Sequence, residues 1–150
     1  MQNFDSHVRR NVELLSVEMD ENDPSVARST FLLRVAPDIC NAAGNLHGGF
    51  VALAFDMLTS LTVAPLARED FWDSGHVSRT LNCTYMRPAL EGSELLVESE
   101  VVHLGKRLGM LRGVMRDKET GKVCYACEHG KAAVVPEPPH NGNGNGKAKL

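Results

Sequence analysis

Apolar residues recur along this chain in three rhythms, and each rhythm predicts a different element. Val8, Val12 and Leu15 fall at i, i+4 and i+7, the spacing of a short amphipathic helix over residues 5–15 that would lie on the domain as a brace. A turn cluster at residues 20–24 follows, and residues 25–35 carry the dense run Thr30-Phe31-Leu32-Leu33, a largely buried strand that Pro37 ends. Residues 50–67 are apolar over the length of a helix and hold one charge, Asp56.

Beyond Pro65 and the charged Arg68-Glu69-Asp70 the period drops to two. Residues 77–86 set Val77, Arg79, Leu81, Cys83 and Tyr85 against Ser78, Thr80, Asn82, Thr84 and Met86. The second set is a row of hydroxyl and amide groups, suited to a substrate channel, to pairing with a second strand across a twofold axis, or simply to solvent. Two further strands, 95–104 and 108–115, are joined by Gly105-Lys106-Arg107. A turn at residues 117–122 leads to the last strand, 123–135. One long buried helix and about five hairpin-linked strands predict an α+β fold, an antiparallel sheet wrapped around a central helix.

The chemistry concentrates where the long helix begins. Asn41-Ala42-Ala43-Gly44-Asn45-Leu46-His47-Gly48-Gly49 feeds backbone N–H groups into the helix start, where they have no intrahelical acceptor and the macrodipole is positive. Such donors stabilise negative charge developing on a carbonyl oxygen, about 2.7–4 kcal/mol for each. Seven residues separate Gly49 from Asp56, about 10 Å along the axis at about 1.5 Å per residue. A proton acceptor must lie within about 3 Å of its target or one water away, so Asp56 is too deep to serve its own helix mouth. Two copies of the helix, antiparallel across a twofold axis, would combine one chain's glycines with the other's Asp56 and make the protein an obligate dimer.

Composition narrows the alternatives. The 150 residues suit one domain, with 16 basic and 19 acidic residues and a net charge of -3, which argues against a general nucleic-acid or membrane-surface binder. Aromatic residues make up 5%, too few for a base-stacking platform. Cys40, Cys83, Cys124 and Cys127 have no disulfide-framework spacing, which points to a reducing compartment. Strand alternation places the two cysteines of Cys124-x-x-Cys127 on opposite faces, against a metal or redox pair. Asp56 and Pro65 make the apolar run a core helix and not a membrane span. Residues 1–24 read as the helical brace and 25–135 as the domain. Residues 136–150 are rich in Pro, Asn and Gly and read as a flexible tail. The tail ends in Ala148-Lys149-Leu150, close to the S-K-L address that a peroxisomal import receptor reads, so a peroxisomal location is expected and a cytoplasmic one otherwise.

Asn-x-x-Gly-x-x-His-Gly-Gly at 41–49, Asp56 seven residues on, and Val-Ser-x-x-x-Asn-x-Thr-Tyr-Met-x-Pro-Ala at 77–89 together resemble the hotdog-fold acyl-CoA thioesterases of the phenylacetate-pathway and thioesterase superfamily member 2 type. The likeness runs over about residues 28–133. It implies a hotdog fold, an acyl-CoA substrate hydrolysed to free acid and coenzyme A, and a homodimer commonly paired into a tetramer. By residue, it implies that Asn41 positions the substrate, that the Gly48 amide beside His47 forms the oxyanion hole, and that Asp56 of the neighbouring subunit activates water or attacks as a nucleophile. Ser78 would help hold that water. An activated thioester calls for no metal or cofactor. His47 and Gly49 would contact substrate or orient the loop. Arg79, Arg87, Lys106 and Arg107 suit the phosphates of coenzyme A. The bulky Phe50, Phe55 and Trp72 would shape the acyl pocket or the dimer contact. A non-catalytic hotdog module binding acyl-CoA or another ligand is the alternative; a hotdog dehydratase fits less well, because the His47-Gly48-Gly49 order differs from the pattern of those enzymes.

Overall fold

The computed structural model describes residues 3–135; the 136–150 tail, with Ala148, Lys149 and Leu150, lies outside them. Helix α1 (Ser6–Asn11) leads into strand β1 (Val12–Met19) and then β2 (Ala27–Arg34). Helix α2 (Gly48–Leu61) connects β2 to β3 (His76–Tyr85), followed by β4 (Glu94–Leu104), β5 (Leu108–Asp117) and β6 (Val123–Ala133). All six strands form one antiparallel sheet in the order β1-β2-β4-β5-β6-β3. The segment containing α2 therefore carries the chain from one side of the sheet to the other, and the helix lies across the concave face, as expected of a hotdog fold.

The helix is placed by burial. Phe50, Val51, Ala54, Phe55 and Leu58 form one stripe, and they pack on Phe31 and Leu33 of β2, Leu95 and Val97 of β4, Met115 of β5 and Cys127 of β6. A second cluster at the far end of the helix joins Val63, Leu66 and Trp72 to Val101, Leu104 and Leu111. Residues 48–66 are apolar enough to cross a membrane by composition, yet they contain this core helix, and half of the apolar stretch is buried inside the domain.

Three expectations change. The brace is helical only over Ser6–Asn11, and Val12–Met19 is a sheet strand, so the sheet begins thirteen residues before position 25. The apolar spacing of Val8 and Val12 fits either conformation; pairing Val12 with Leu33 and Met19 with Ala27 satisfies the outer backbone edge of β2, and that decides it. Phe50 and Phe55 point into the core, 8% and 0% exposed, and not outward toward a dimer contact. Trp72 is also buried, its indole N–H donating to the Gly105 carbonyl at 2.8 Å. Its φ of 59° and that of Asp70 at 60° lie in the left-handed region, unusual for a bulky side chain and held here by that packing.

Candidate active site

His47 caps α2: its φ and ψ are extended, and its Nδ1 accepts from the Gly49 N–H at 3.0 Å. With Nδ1 accepting, a neutral ring carries its proton on Nε2, so His47 orients the mouth and offers a donor outward. Gly49's amide is thereby occupied. The Gly48 N–H has no acceptor among the described residues and is free to meet an oxyanion. Asn41 closes the loop before it, its Oδ1 accepting from the Ala43 and Asn45 amides at 3.0 and 3.2 Å, which leaves the Nδ2 donors available. Tyr85 lies over the mouth, its hydroxyl donating to the Gly48 carbonyl at 2.9 Å. Asn41, Gly48, Tyr85, Arg87 and Tyr125 line one open cleft of about 350 Å³.

Asp56 sits two turns further along α2 in a different cluster. Ser78 Oγ donates to Asp56 Oδ1 at 2.6 Å, and His129 Nε2 approaches Ser78 Oγ at 2.8 Å and Asp56 Oδ1 at 3.4 Å. On the other side of that ring, Nδ1 lies 2.6 Å from Thr59 Oγ1. Lys131 Nζ donates to Ser60 Oγ at 2.7 Å and to Ser78 Oγ at 3.2 Å. His129 and Lys131 are 0% and 3% exposed, while the Asp56 side chain is 42% exposed, so the carboxylate is the part of the cluster that faces outward. Burial, and then the nearby Lys131 ammonium, lower the His129 pKa to about 4, which keeps the ring neutral. Burial and the same ammonium also lower His76, which stacks obliquely on Trp72 at 5.7 Å between ring centroids.

The hydrogens can be assigned from the network. Ser78 has one proton, and a carboxylate 2.6 Å away claims it. His129 must then donate from Nε2 to Ser78; with the ring neutral its Nδ1 accepts from Thr59, whose single proton is also within reach of the Phe55 carbonyl at 2.7 Å. The sequence reading singled out neither His129 nor Lys131. The signal was their alternation: Cys127, His129 and Lys131 share one face of β6, so two polar residues stand at positions that should point inward.

Among the sequence candidates, Asn41, His47, Gly48, Gly49 and Arg87 gather at the helix mouth, although Arg87 already donates to the Val123 carbonyl at 2.7 Å. Asp56 and Ser78 gather in the second cluster. Arg79 is exposed at an irregularity in β3. Lys106 and Arg107 lie apart from the mouth, in the β4–β5 turn beside Trp72.

Comparison with known proteins gives one consistent result. Residues 43–124 match the family model described as "Thioesterase superfamily". The human protein "Acyl-coenzyme A thioesterase 13" is 30% identical over 99 residues, covering 66% of this chain and 68% of the relative, and its Mus musculus counterpart is 29% identical over the same shares. Among solved structures, the zebra fish thioesterase superfamily member 2 superposes with a TM-score of 0.76 at 25% identity over 89% of this chain and 88% of that one. A Streptococcus mutans protein solved bound to acetyl CoA shares the fold with a TM-score of 0.71 at 15% identity, over 89% and 93% of the two chains.

Proposed function

The chain belongs to the thioesterase superfamily, and on that premise we propose that it hydrolyses acyl-CoA to the free acid and coenzyme A at a site shared by two copies. One observation carries the shared site. An unpartnered N–H at Gly48 and a carboxylate at Asp56 each supply half of thioester hydrolysis, yet they sit eight residues apart on one rigid helix, about 12 Å along the axis. Strand β3, which carries Ser78, is an outer edge of the sheet with most of its residues exposed. Pairing that edge with a second copy would set each helix mouth against the partner's Asp56 and would use the polar row noted in the sequence.

In this reading Asn41 Nδ2 and the Gly48 N–H hold the thioester carbonyl, and the partner's Asp56 takes a proton from a water that attacks the carbonyl carbon. The tetrahedral oxyanion meets the two donors, the C–S bond breaks, and the coenzyme A thiolate leaves and is protonated. The name of the human relative supports coenzyme A as the carrier.

The test is free-thiol release from short, medium, long and aryl acyl-CoAs by the purified protein. The expected result is turnover that falls at least about 10²-fold in Asp56→Asn and more mildly in Ser78→Ala, with fold and dimer intact. Tight acyl-CoA binding without turnover, indifferent to Asp56, would make the protein a binding module instead.

A further inference from the structure

The buried ammonium of Lys131 has no part in the hydrolysis just described, yet its position is specific. Lys131 is 3% exposed on β6 and reaches across the concave face to two hydroxyls, Ser60 Oγ on α2 and Ser78 Oγ on β3. A hydroxyl can donate once and accept twice. Ser78 donates to Asp56 Oδ1 and accepts from His129 Nε2–H and from Lys131, so all of its positions are filled. It has nothing left with which to hold a water.

From this geometry we infer that Lys131 is a positioning residue: with His129 it pins the Ser78 proton on Asp56 Oδ1 and so leaves Oδ2 of that carboxylate as the atom that receives the water's proton. The inference rests on the proposed hydrolysis for its catalytic meaning, but the contact itself can be tested without turnover. It also changes the part played by Ser78, which serves the carboxylate rather than the water. The ionisable groups facing the ammonium are Asp56 on α2, His76 on β3 and His129 on β6. Burial holds the Lys131 pKa below the ordinary lysine range, and Asp56 opposes that shift.

Two experiments decide it. The first is the pH profile of thiol release for the parent and for Lys131→Met, which keeps a similar volume without charge or donors. The parent should lose kcat on the alkaline side as Lys131 deprotonates. Lys131→Met should show kcat at least about tenfold lower at neutral pH, KM within about twofold, and no alkaline fall. A variant with parental kcat, or with the alkaline fall unchanged, overturns the inference. The second is an NMR titration of the isotopically labelled Lys131 ammonium in the parent and in Asp56→Asn. Its midpoint should drop when the opposing carboxylate is removed. An unmoved midpoint refutes the coupling, whether or not the protein turns over acyl-CoA and whether or not Lys131→Met folds. Absence of thiol release from every acyl-CoA, with the titration shift present, would refute the proposed function and leave the Lys131–Asp56 coupling standing.

Discussion

The residues around Asp56 show how burial beside an ammonium keeps an imidazole neutral. His129 is fully enclosed and donates from Nε2 to Ser78; a second ring proton could be met by Thr59 Oγ1, whose own proton would turn to the Phe55 carbonyl at 2.7 Å, so burial and then the Lys131 ammonium are what keep the ring neutral. With its folded-state pKa near 4 and an ordinary value of 6.5, the unfolded chain binds the proton more readily between those limits. Stability contributed by this group is therefore present above about pH 6.5 and is lost as pH falls toward 4. The loss is at most about 3 kcal/mol. His76 adds a change of the same sign. Urea midpoints at pH 7 and pH 4.5 should thus differ more for the parent than for His129→Gln; equal differences would show that the ring is not held neutral. Of the candidate site, Asp56, Ser78, Asn41 and Gly48 could be singled out in the sequence because each belongs to a local pattern with fixed spacing. His129 and Lys131 belong to no such pattern. They join the site only through the register that sets Leu81 opposite His129, and that pairing bridges 48 residues of chain.

At the scale of elements, the helix and the strands β2 to β6 were legible because their periods are long and bounded by turn residues, whereas β1 was read as helix. A six-residue helix running directly into a strand leaves too few repeats of either period to separate them. The fit between α2 and the sheet was also invisible, since it depends on a missing side chain. A Cβ at Gly113 would lie 2.8 Å from two ring atoms of Phe55 and 3.0 Å from Cys127 Sγ, and Phe55 is fully buried with no room to retreat. Gly113→Ala should therefore push the helix off β5 and cost about 1–3 kcal/mol in chemical denaturation. Gly121 is the control. Its φ of +70° strains an alanine, but nothing lies within 4 Å of the added carbon, so Gly121→Ala should cost about 1 kcal/mol. If the two variants lose the same stability, the close approach of helix to sheet is not what fixes the spacing of this core.

For the whole molecule, the division of the site between two copies can be tested without seeing the interface. Gly48 is the first residue of α2, where proline is tolerated, and the extended backbone of His47 suits a residue that precedes proline. Gly48→Pro thus deletes an unpartnered N–H of the mouth while keeping the helix, and should lower kcat by about 10²–10³ on its own. Asp56→Asn disables the other half. If each site takes its mouth from one chain and its carboxylate from the other, a hybrid of these variants has one site with both defects and one with neither. Random exchange at equal concentrations makes about half the dimers hybrids, each with one intact site, so about a quarter of parental activity should return on mixing. If the mouth and the carboxylate of a single chain served one substrate, every site in every dimer would keep a defect and mixing would restore nothing. The same outcome decides the use of the β3 edge. Recovered activity that vanishes when this strand is blocked by proline on its outer side would place the junction there, and recovery that survives would send it to another face.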